Sequence, residues 1–576
     1  MSYLQKLKDA EDLTDLGNII GYKAKAISYI AYHVADDKKY KVFTIPKKNG
    51  DERIIKAPEP QLRELQERLA HLLTQCYEEL YTDAGKSKKR KSLSHGFRKK
   101  HSPITNAANH KNKRYVFNID LKDFFPSLNF GRVRGFFINS KDFSLEPKIA
   151  TAIAQVACHE DELPQGSPMS PVISNLIGHI LDIRLVKLAK KAGCSYSRYA
   201  DDISFSTREK KFPLLLASKD ADGHWVPSDK LKEIIEERSG FIINPTKVSM
   251  QYKLDRQMAT GLVVNKKVNI PAPYYWQARA MCDALFRKGE FYLGKEMRWG
   301  NDKDTPSKSM GSVEQLRGVL SYIYQVKKPH DERDIKEKWK NPTAIHNLYR
   351  RFLYFDKFYA LQKPLIMCEG KTDNVYLRYA MKSLWMVPDL GFLEEVDEKK
   401  VLTVDFFNYS PTNMDLMQFS GGTGDLQSFI HHYKDRMKPF LCAGMNLPVI
   451  ILLDNDSGAN AIKNKVGGLL KRSVDGSEDF YYLGKNLYLV LLPQKVPGED
   501  IMIEHFFEPK VLAEDLDGKT FEPDEKKFDR TKHYGKQVFA EKIIKPKWQN
   551  IKFDDFIPIL TRIKRAINDY TVYKIR

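Results

Sequence analysis

Residues 195–206 read SYSRYADDISFS, and the first half of the fold turns on this stretch. Polar and apolar residues alternate on both sides of Asp201 and Asp202, which is the period of a strand, so the segment predicts a β-hairpin with two adjacent acids at its tip. Taken alone, such a tip is an ordinary solvated turn. Upstream, the apolar run RYVFNID ends in Asp120 and enters DFFPS, which sets a third carboxylate at a strand end. Three carboxylates gathered at strand ends suit two Mg²⁺ ions, which activate an attacking hydroxyl and stabilise a pyrophosphate leaving group. Phosphoryl transfer is the expected chemistry.

Working outward, a chain of 576 residues should hold about four structural units of ~150 residues, or two larger ones. Lys and Arg number 94 against 74 Asp and Glu, a net charge of +20 that favours polyanionic partners, nucleic acid first. Lys86 to Lys100 (KSKKRKSLSHGFRKK) concentrates eight of these cations, although a solvated basic loop reads the same way. Apolar runs such as Val449 to Leu453 fall far short of the ~20 residues of a membrane span, so no membrane partner is expected. The start, MSYLQKLKDAEDLTD, has neither an apolar h-region nor a small-residue cleavage site, and a cytoplasmic location is expected. The six cysteines form no C-x-x-C pair, which argues against a disulfide framework and a Cys-based zinc site and leaves them as reduced core residues.

Three regions follow from the punctuation. Residues 1–325 alternate helix-like stretches (QLRELQERLAHLLTQCYEEL) with short strands, an α+β pattern. Residues 326–360 are charged with aromatic spacing, as in a helical connector. From 361 to 576 the apolar runs PLIMCE and LPVIILLD end in acids between helical and Gly-rich segments, the pattern of buried parallel strands in an α/β domain.

At these residues the sequence resembles the reverse transcriptases. Tyr199-Ala200-Asp201-Asp202 matches their Y-x-D-D box, and Asp120 matches the acid of the preceding palm strand. LPQGSPMSPVISN, residues 163–175, resembles the Q-G-x-x-x-S-P loop, whose Gln165 and Gly166 would lie against the incoming nucleotide. Phe125 falls where the family places a bulky gate against a 2′-OH, which implies a preference for deoxynucleotides (dNTPs). In the fingers, IPKKNGDERII offers Lys48 and Arg53, with Lys47 an alternative to Lys48, as the residues that clamp the triphosphate. Lys247 in GFIINPTKV follows the catalytic hairpin and would protonate pyrophosphate. The resemblance implies a right-hand polymerase of fingers, palm and thumb.

Two further boxes resemble the retron branch. Asn106-Ala107-Ala108-Asn109-His110 is similar to its N-A-x-x-H signature, and Ala259-Thr260-Gly261 sits where retrons usually carry V-T-G, with Ala in place of Val. Residues 312–326, SVEQLRGVLSYIYQV, resemble the thumb helix, with Arg317 available to a backbone phosphate, although Leu316, Leu320 and Ile323 equally make a core face. This resemblance assigns RNA recognition to Asn106, His110, Thr260, Gly261 and Arg317. It implies a structured noncoding RNA as primer and template, a guanosine 2′-OH as the starting point, and a branched RNA–DNA product (msDNA) retained by the protein. A group II intron-like or diversity-generating enzyme is the alternative, which the Asn106 to His110 box disfavours.

The second half carries its own constellation. Glu369 and Gly370 end one strand and precede Lys371, Thr372 and Asp373, while Asp454 and Asp456 end another. Strand-end acids in an α/β sheet cluster at one edge, where they can hold Mg²⁺ against a phosphodiester. The patterns E-G-x-x-D and D-x-D-x-x-G resemble the Toprim domain of topoisomerases, primases and overcoming-lysogenization-defect nucleases, an α/β domain with a mostly parallel sheet. Within that resemblance Glu504 in GEDIMIEHFF is a further metal ligand, Lys536 either approaches a phosphate or is a solvated helix lysine, and Gly421 to Gly424 is either a phosphate contact or a flexible loop. HYGKQVFAEKI and FDDFIPILTRI look like the nuclease-type C-terminal tail. The implied protein is a retron polymerase fused to a Mg²⁺-dependent nuclease effector in antiphage defence. The competing expectation is a nucleic-acid-binding assembly protein with a silent Toprim domain, and a homo-oligomer stays open.

Overall fold

Asp120 lies on a strand that is buried on both faces. The computed structural model describes the whole chain except residues 1, 47–51, 83–89, 92, 294–308, 420–421, 497, 525–526 and 576. Two compact units divide it, the first built mainly on residues 1–276 and the second on 332–576 together with 277–293 and 309–324. No helix among the described residues is long and apolar enough to cross a membrane.

In the first unit β1 (Tyr40–Pro46) and β2 (Glu52–Pro58) form an antiparallel hairpin, and β3 (Tyr115–Lys122), β4 (Ser195–Tyr199), β5 (Asp202–Thr207), β6 (Ile242–Ile243) and β7 (Ser249–Tyr252) form an antiparallel sheet. The order is β6-β3-β5-β4, with β7 also paired to β3, and β8 (Met258–Ala259) and β9 (Leu262–Val263) pair as a separate antiparallel hairpin. Val116, Phe117, Ile119 and Leu121 of β3 are all buried, so both faces of the strand are covered. Two long helices are part of the same core. α1 (Pro60–Leu80) starts on a proline, whose missing N–H costs nothing in the first turn, and buries Leu62, Leu65, Leu69, Leu72, Leu73 and Cys76 at helical spacing. The short α2 (Pro103–Ala108) starts from a Ser102 capping box, and α3 (Ser170–Lys191) buries most of its length, its polar Ser174, Asn175 and Asp182 included.

The polar face of the 195–206 hairpin is covered rather than solvated. Ser197, Ser204 and Ser206 are buried beneath His110 and Asn118, which satisfy their hydroxyls. Alternation in the sequence marks the two faces correctly but cannot reveal that a second layer lies over the polar one.

The second unit differs from the expected boundaries of 325 and 360. Helix α4 (Ala272–Lys288) contributes Phe286, which packs on Phe355 and Phe440. Helix α5 (Val313–Lys327) buries Leu316, Leu320 and Ile323 completely, and its Tyr324 packs on Tyr349 of α6 (Ala344–Tyr354). The segment read as a connector is helical, yet Tyr349, Phe352, Phe355 and Phe358 are core residues. Its aromatic spacing therefore records burial, and the compact unit begins earlier in the chain.

In this unit β10 (Leu365–Cys368), β11 (Asp405–Phe406), β12 (Val449–Leu453) and β14 (Leu487–Leu491) run parallel, and the edge strand β13 (Tyr481–Gly484) is antiparallel. The sheet order is β11-β10-β12-β14-β13. Helices α7 (Asp373–Ser383), α8 (Thr423–Met437) and α9 (Ile557–Ile575) belong to the same unit. Cys76, Cys282 and Cys368 are buried, and Cys158, Cys194 and Cys442 lie at the core margin.

Candidate functional site

The register of β3 against β5 places Asp120 directly opposite Asp202, and the amide of Leu121 donates to the carbonyl of Asp201 at 3.1 Å. Strands β4 and β5 are joined through Ala200 and Asp201, with Ala200 at φ +56°. Sequence-distant acids are thus brought to one strand edge by a tight turn. Burial and the Asp120 carboxylate push Asp201 above the usual carboxylate range, with Lys247 and Arg53 among the cations that counter it. Water reaches Asp202, yet burial within the cleft, then Asp201 and Asp120, push it up to about 7. Lys247 Nζ donates to Asp120 Oδ2 at 2.9 Å, and Asn244 Nδ2 to Asp120 Oδ1 at 3.5 Å. Burial works against the Lys247 charge, but the bond to Asp120 and the two acids behind it hold the ammonium above the usual lysine range. Crowded carboxylates with hard oxygen donors and raised pKa values fit a divalent cation such as Mg²⁺.

The loop expected against the nucleotide is tied to the fingers. Gln165 accepts at its carbonyl from the Lys56 amide at 2.8 Å, and Lys56 Nζ pairs with Glu160 and Glu162 at 2.6 and 2.7 Å. Gly166, at φ +126°, passes so close that a Cβ would stand 2.6 Å from the Lys56 carbonyl. Ser167 Oγ donates to Gln66, which in turn donates to the Tyr40 hydroxyl. Phe125 is half-buried, and its ring lies 6.1 Å from Phe97, a residue the sequence reading passed over. Arg53 is exposed on β2, whereas Lys47 and Lys48 lie outside the described residues.

The residues assigned to RNA recognition are placed differently. His110 is fully buried, with Nδ1 at 2.8 Å from Ser206 Oγ and Nε2 at 2.7 Å from Ser197 Oγ, so it clamps two palm strands. Burial pushes its pKa down to about 3, which keeps the imidazole neutral. Asn106 is 1% exposed, and neither side-chain polar atom has a partner. Thr260, at φ +47°, donates to the Pro103 carbonyl at 3.1 Å, so the second box docks on the helix of the first, with Gly261 exposed beside it. His110 thus ties strands of the first unit together, while Asn106 keeps a buried amide with no partner. Arg317 Nη2 pairs with the buried Asp356 at 2.5 Å, and its side chain stays partly exposed.

The second constellation converges at the carboxyl ends of β10 and β12. Gly370 N donates to Asp373 Oδ2 at 2.8 Å, Ile503 N to Asp454 Oδ1 at 3.1 Å, and Ala459 N to Asp456 Oδ1 at 3.1 Å. Burial, then Asp456 and Asp373, push Glu369 up to about 7, and burial, then Asp373 and Glu504, push Asp454 up to about 8. Glu504 is 1% exposed. Its Oε2 accepts from Lys536 Nζ at 3.0 Å, while its Oε1 has no partner. Lys536 is therefore neither a free phosphate ligand nor a solvated lysine but the cation facing these acids. Five carboxylates, Asp373 included, against one ammonium, with an orphaned buried oxygen among them, fit a divalent cation. Gly421 lies outside the described residues, and Thr423 opens α8.

Among the described residues, the set of three acids or histidines whose ligand atoms all fall within 4.8 Å of one another is Asp220, Asp222 and His224. These are exposed on the turn between Ala217–Lys219 and Trp225–Pro227, where Asp220 accepts from the His224 amide, so turn closure explains their proximity.

Comparisons with known proteins follow the same line. Residues 45–280 match the family described as reverse transcriptase (RNA-dependent DNA polymerase). The retron Mx162 reverse transcriptase of Myxococcus xanthus is 30% identical over 341 residues, 55% of this chain and 64% of that protein. The retron Ec86 reverse transcriptase of Escherichia coli is 29% identical over 55% of this chain and 83% of its own length. The retron Mx65 reverse transcriptase of Myxococcus xanthus is 30% identical over 46% of this chain and 61% of its own. The chain thus spans just under two thirds of the Mx162 and Mx65 proteins. Telomerase from Candida albicans aligns with 55% of this chain and 60% of its own at 12% identity and a TM-score of 0.29, too slight a likeness to bear on the fold.

Proposed function

We propose that this chain is a retron reverse transcriptase, an RNA-directed DNA polymerase that extends a guanosine 2′-OH of its cognate noncoding RNA into a branched RNA–DNA hybrid. The observation that carries this is the register of Asp120 opposite Asp202, with Asp201 at the turn and Lys247 on Asp120. The matched family over residues 45–280 and the retron relatives support it.

In this reading Asp120, Asp201 and Asp202 hold Mg²⁺, which when bound activates the attacking hydroxyl and neutralises charge on the pyrophosphate. Lys247 shields Asp120 and stands ready to give a proton to the leaving group. Arg53 approaches the acids from the fingers and would meet the triphosphate, while the Gln165–Gly166 loop, fixed by its bond to Lys56, forms the floor beneath the base and sugar. Phe125 closes the space beside the 2′ position. We place the activity in the cytoplasm, where dNTPs and structured RNA are at hand.

We also propose that residues 361–576 are a Toprim nuclease effector serving antiphage defence, in which Glu369, Asp454, Asp456 and Glu504 hold Mg²⁺ against a phosphodiester. The support is the unbalanced carboxylate cluster at the carboxyl ends of two parallel strands. Primer extension on an RNA template with dNTPs and Mg²⁺ tests the first reading, and cleavage of labelled DNA and RNA by the full chain tests the second. Absence of templated synthesis contradicts the polymerase, and absence of any cleavage contradicts the effector.

A further inference from the structure

We propose that Arg198 is a positioning residue of the polymerase centre, holding the turn that carries Asp201 and Asp202 through the carbonyl of Ala200. The inference rests on the polymerase reading above.

Arg198 is completely buried inside β4. Its guanidinium makes a two-pronged pair with Asp182 of α3, Nε to Oδ1 at 2.7 Å and Nη2 to Oδ2 at 2.8 Å. The third nitrogen, Nη1, donates to the Ala200 carbonyl at 3.0 Å. Asp182 is held from a second side by the Tyr196 hydroxyl at 2.6 Å. Room for the guanidinium comes from Gly178, one turn earlier on α3, where a Cβ would stand 2.7 Å from Nη2. The planar fork of arginine is the side chain that satisfies a carboxylate and a carbonyl at once, which an ammonium on a flexible stem cannot do.

The turn needs such a hold. Ala200 adopts φ +56°, a region that a residue with a Cβ enters only where its surroundings impose it. Its amide is approached by Gly96, where a Cβ would stand 2.8 Å away, and its carbonyl is taken by Arg198. The Ala200 carbonyl is therefore held by a hydrogen bond and its amide closely packed, and the next residues are Asp201 and Asp202. A buried ion pair between helix and strand would cement the fold without the bond to Ala200, and that bond makes α3 a rigid reference for the acids.

The test compares Arg198→Lys with Asp182→Asn in the full chain, by single-nucleotide extension kinetics, Mg²⁺ titration and thermal melting. Arg198→Lys keeps a cation beside Asp182 but loses the Ala200 bond. It should lower kcat about 100-fold, the scale of a small misplacement of reacting groups, raise the Mg²⁺ needed for half-maximal rate, and leave the dNTP KM within about 3-fold. Asp182→Asn still offers an oxygen to Arg198 and Tyr196. It should melt lower yet keep kcat within about 5-fold where it is folded. Should the lysine variant melt early, Arg198→Met with Asp182→Asn removes both buried charges together: folded and slow supports the proposal, folded and fast overturns it. Wild-type kcat in Arg198→Lys, or losses in both variants that merely follow stability, overturn the positioning role while the polymerase reading stands. A wild-type chain without templated synthesis overturns the polymerase reading and this role with it.

Discussion

Two acids at a turn carry most of the chemistry assigned to the first unit. Asp201→Asn with Asp202→Asn removes the negative oxygens on which metal-assisted nucleotidyl transfer depends, so DNA synthesis should fall by more than about 1000-fold. RNA affinity should stay near wild type, because it draws on many Lys and Arg contacts. A gel-shift and an extension assay on one preparation check both halves. Phe125→Val should open space at the sugar and raise incorporation of ribonucleotides relative to dNTPs, read as the ratio of their kcat/KM values; an unchanged ratio places the gate elsewhere. A pH dependence follows from Asp454. Its folded pKa of about 8 lies above its ordinary 3.8, so the folded state holds the proton that the unfolded chain gives up, and stability is lost as pH climbs from about 4 to about 8, levelling above. In EDTA, Asp454→Asn should therefore melt higher than wild type, with a gap that widens from pH 5 to pH 8. A gap that narrows over that range contradicts the carboxylate cluster. These acids were legible because adjacency and strand ends are local signals. Arg198 and Asp182 were legible only in outline: Asp182 is the one acid in its helix, yet nothing local says which cation meets it. Phe97 was not legible, since it reaches Phe125 across 28 residues of chain.

At the scale of elements, the strands and long helices follow their apolar periods closely, and the surprises lie in what covers them. The hairpin at 195–206 was readable as two strands, but its serines look solvent-facing until His110 arrives from about 90 residues earlier. His110→Ala removes two buried hydrogen bonds and leaves a cavity, which should cost about 2–4 kcal/mol in urea unfolding. RNA affinity measured where the variant is still folded should not change; a loss of affinity without a loss of stability would return His110 to recognition. Thr260 docking on Pro103 joins the two boxes into one structural feature, which short motifs read separately do not disclose. Arg317 had the same difficulty, since its partner Asp356 sits 39 residues away on a segment that reads as a helical connector.

Over the whole molecule, the net charge of +20 pointed to nucleic acid, and the change from alternating to continuous apolar strands marked two kinds of domain. The compact second unit takes in residues before 325 because α5 buries Leu316, Leu320 and Ile323 in the unit that also holds α6, a partner its own amphipathic period cannot name. The division of acids between units makes the two proposed activities separable. Glu369→Ala and Asp454→Ala should keep wild-type DNA synthesis while losing nuclease activity and protection against phage, measured by extension, cleavage and plaque counts. Full protection by both variants would make the second unit an assembly surface. The central claim, RNA-directed synthesis of a branched hybrid, is tested most directly on the nucleic acid that copurifies with the native protein, digested in turn with RNase and DNase and compared with the Asp201→Asn, Asp202→Asn variant. The account predicts a DNA strand joined to RNA in the wild type and RNA alone in the variant. DNA of the same length and amount in both, or none in either, would contradict it.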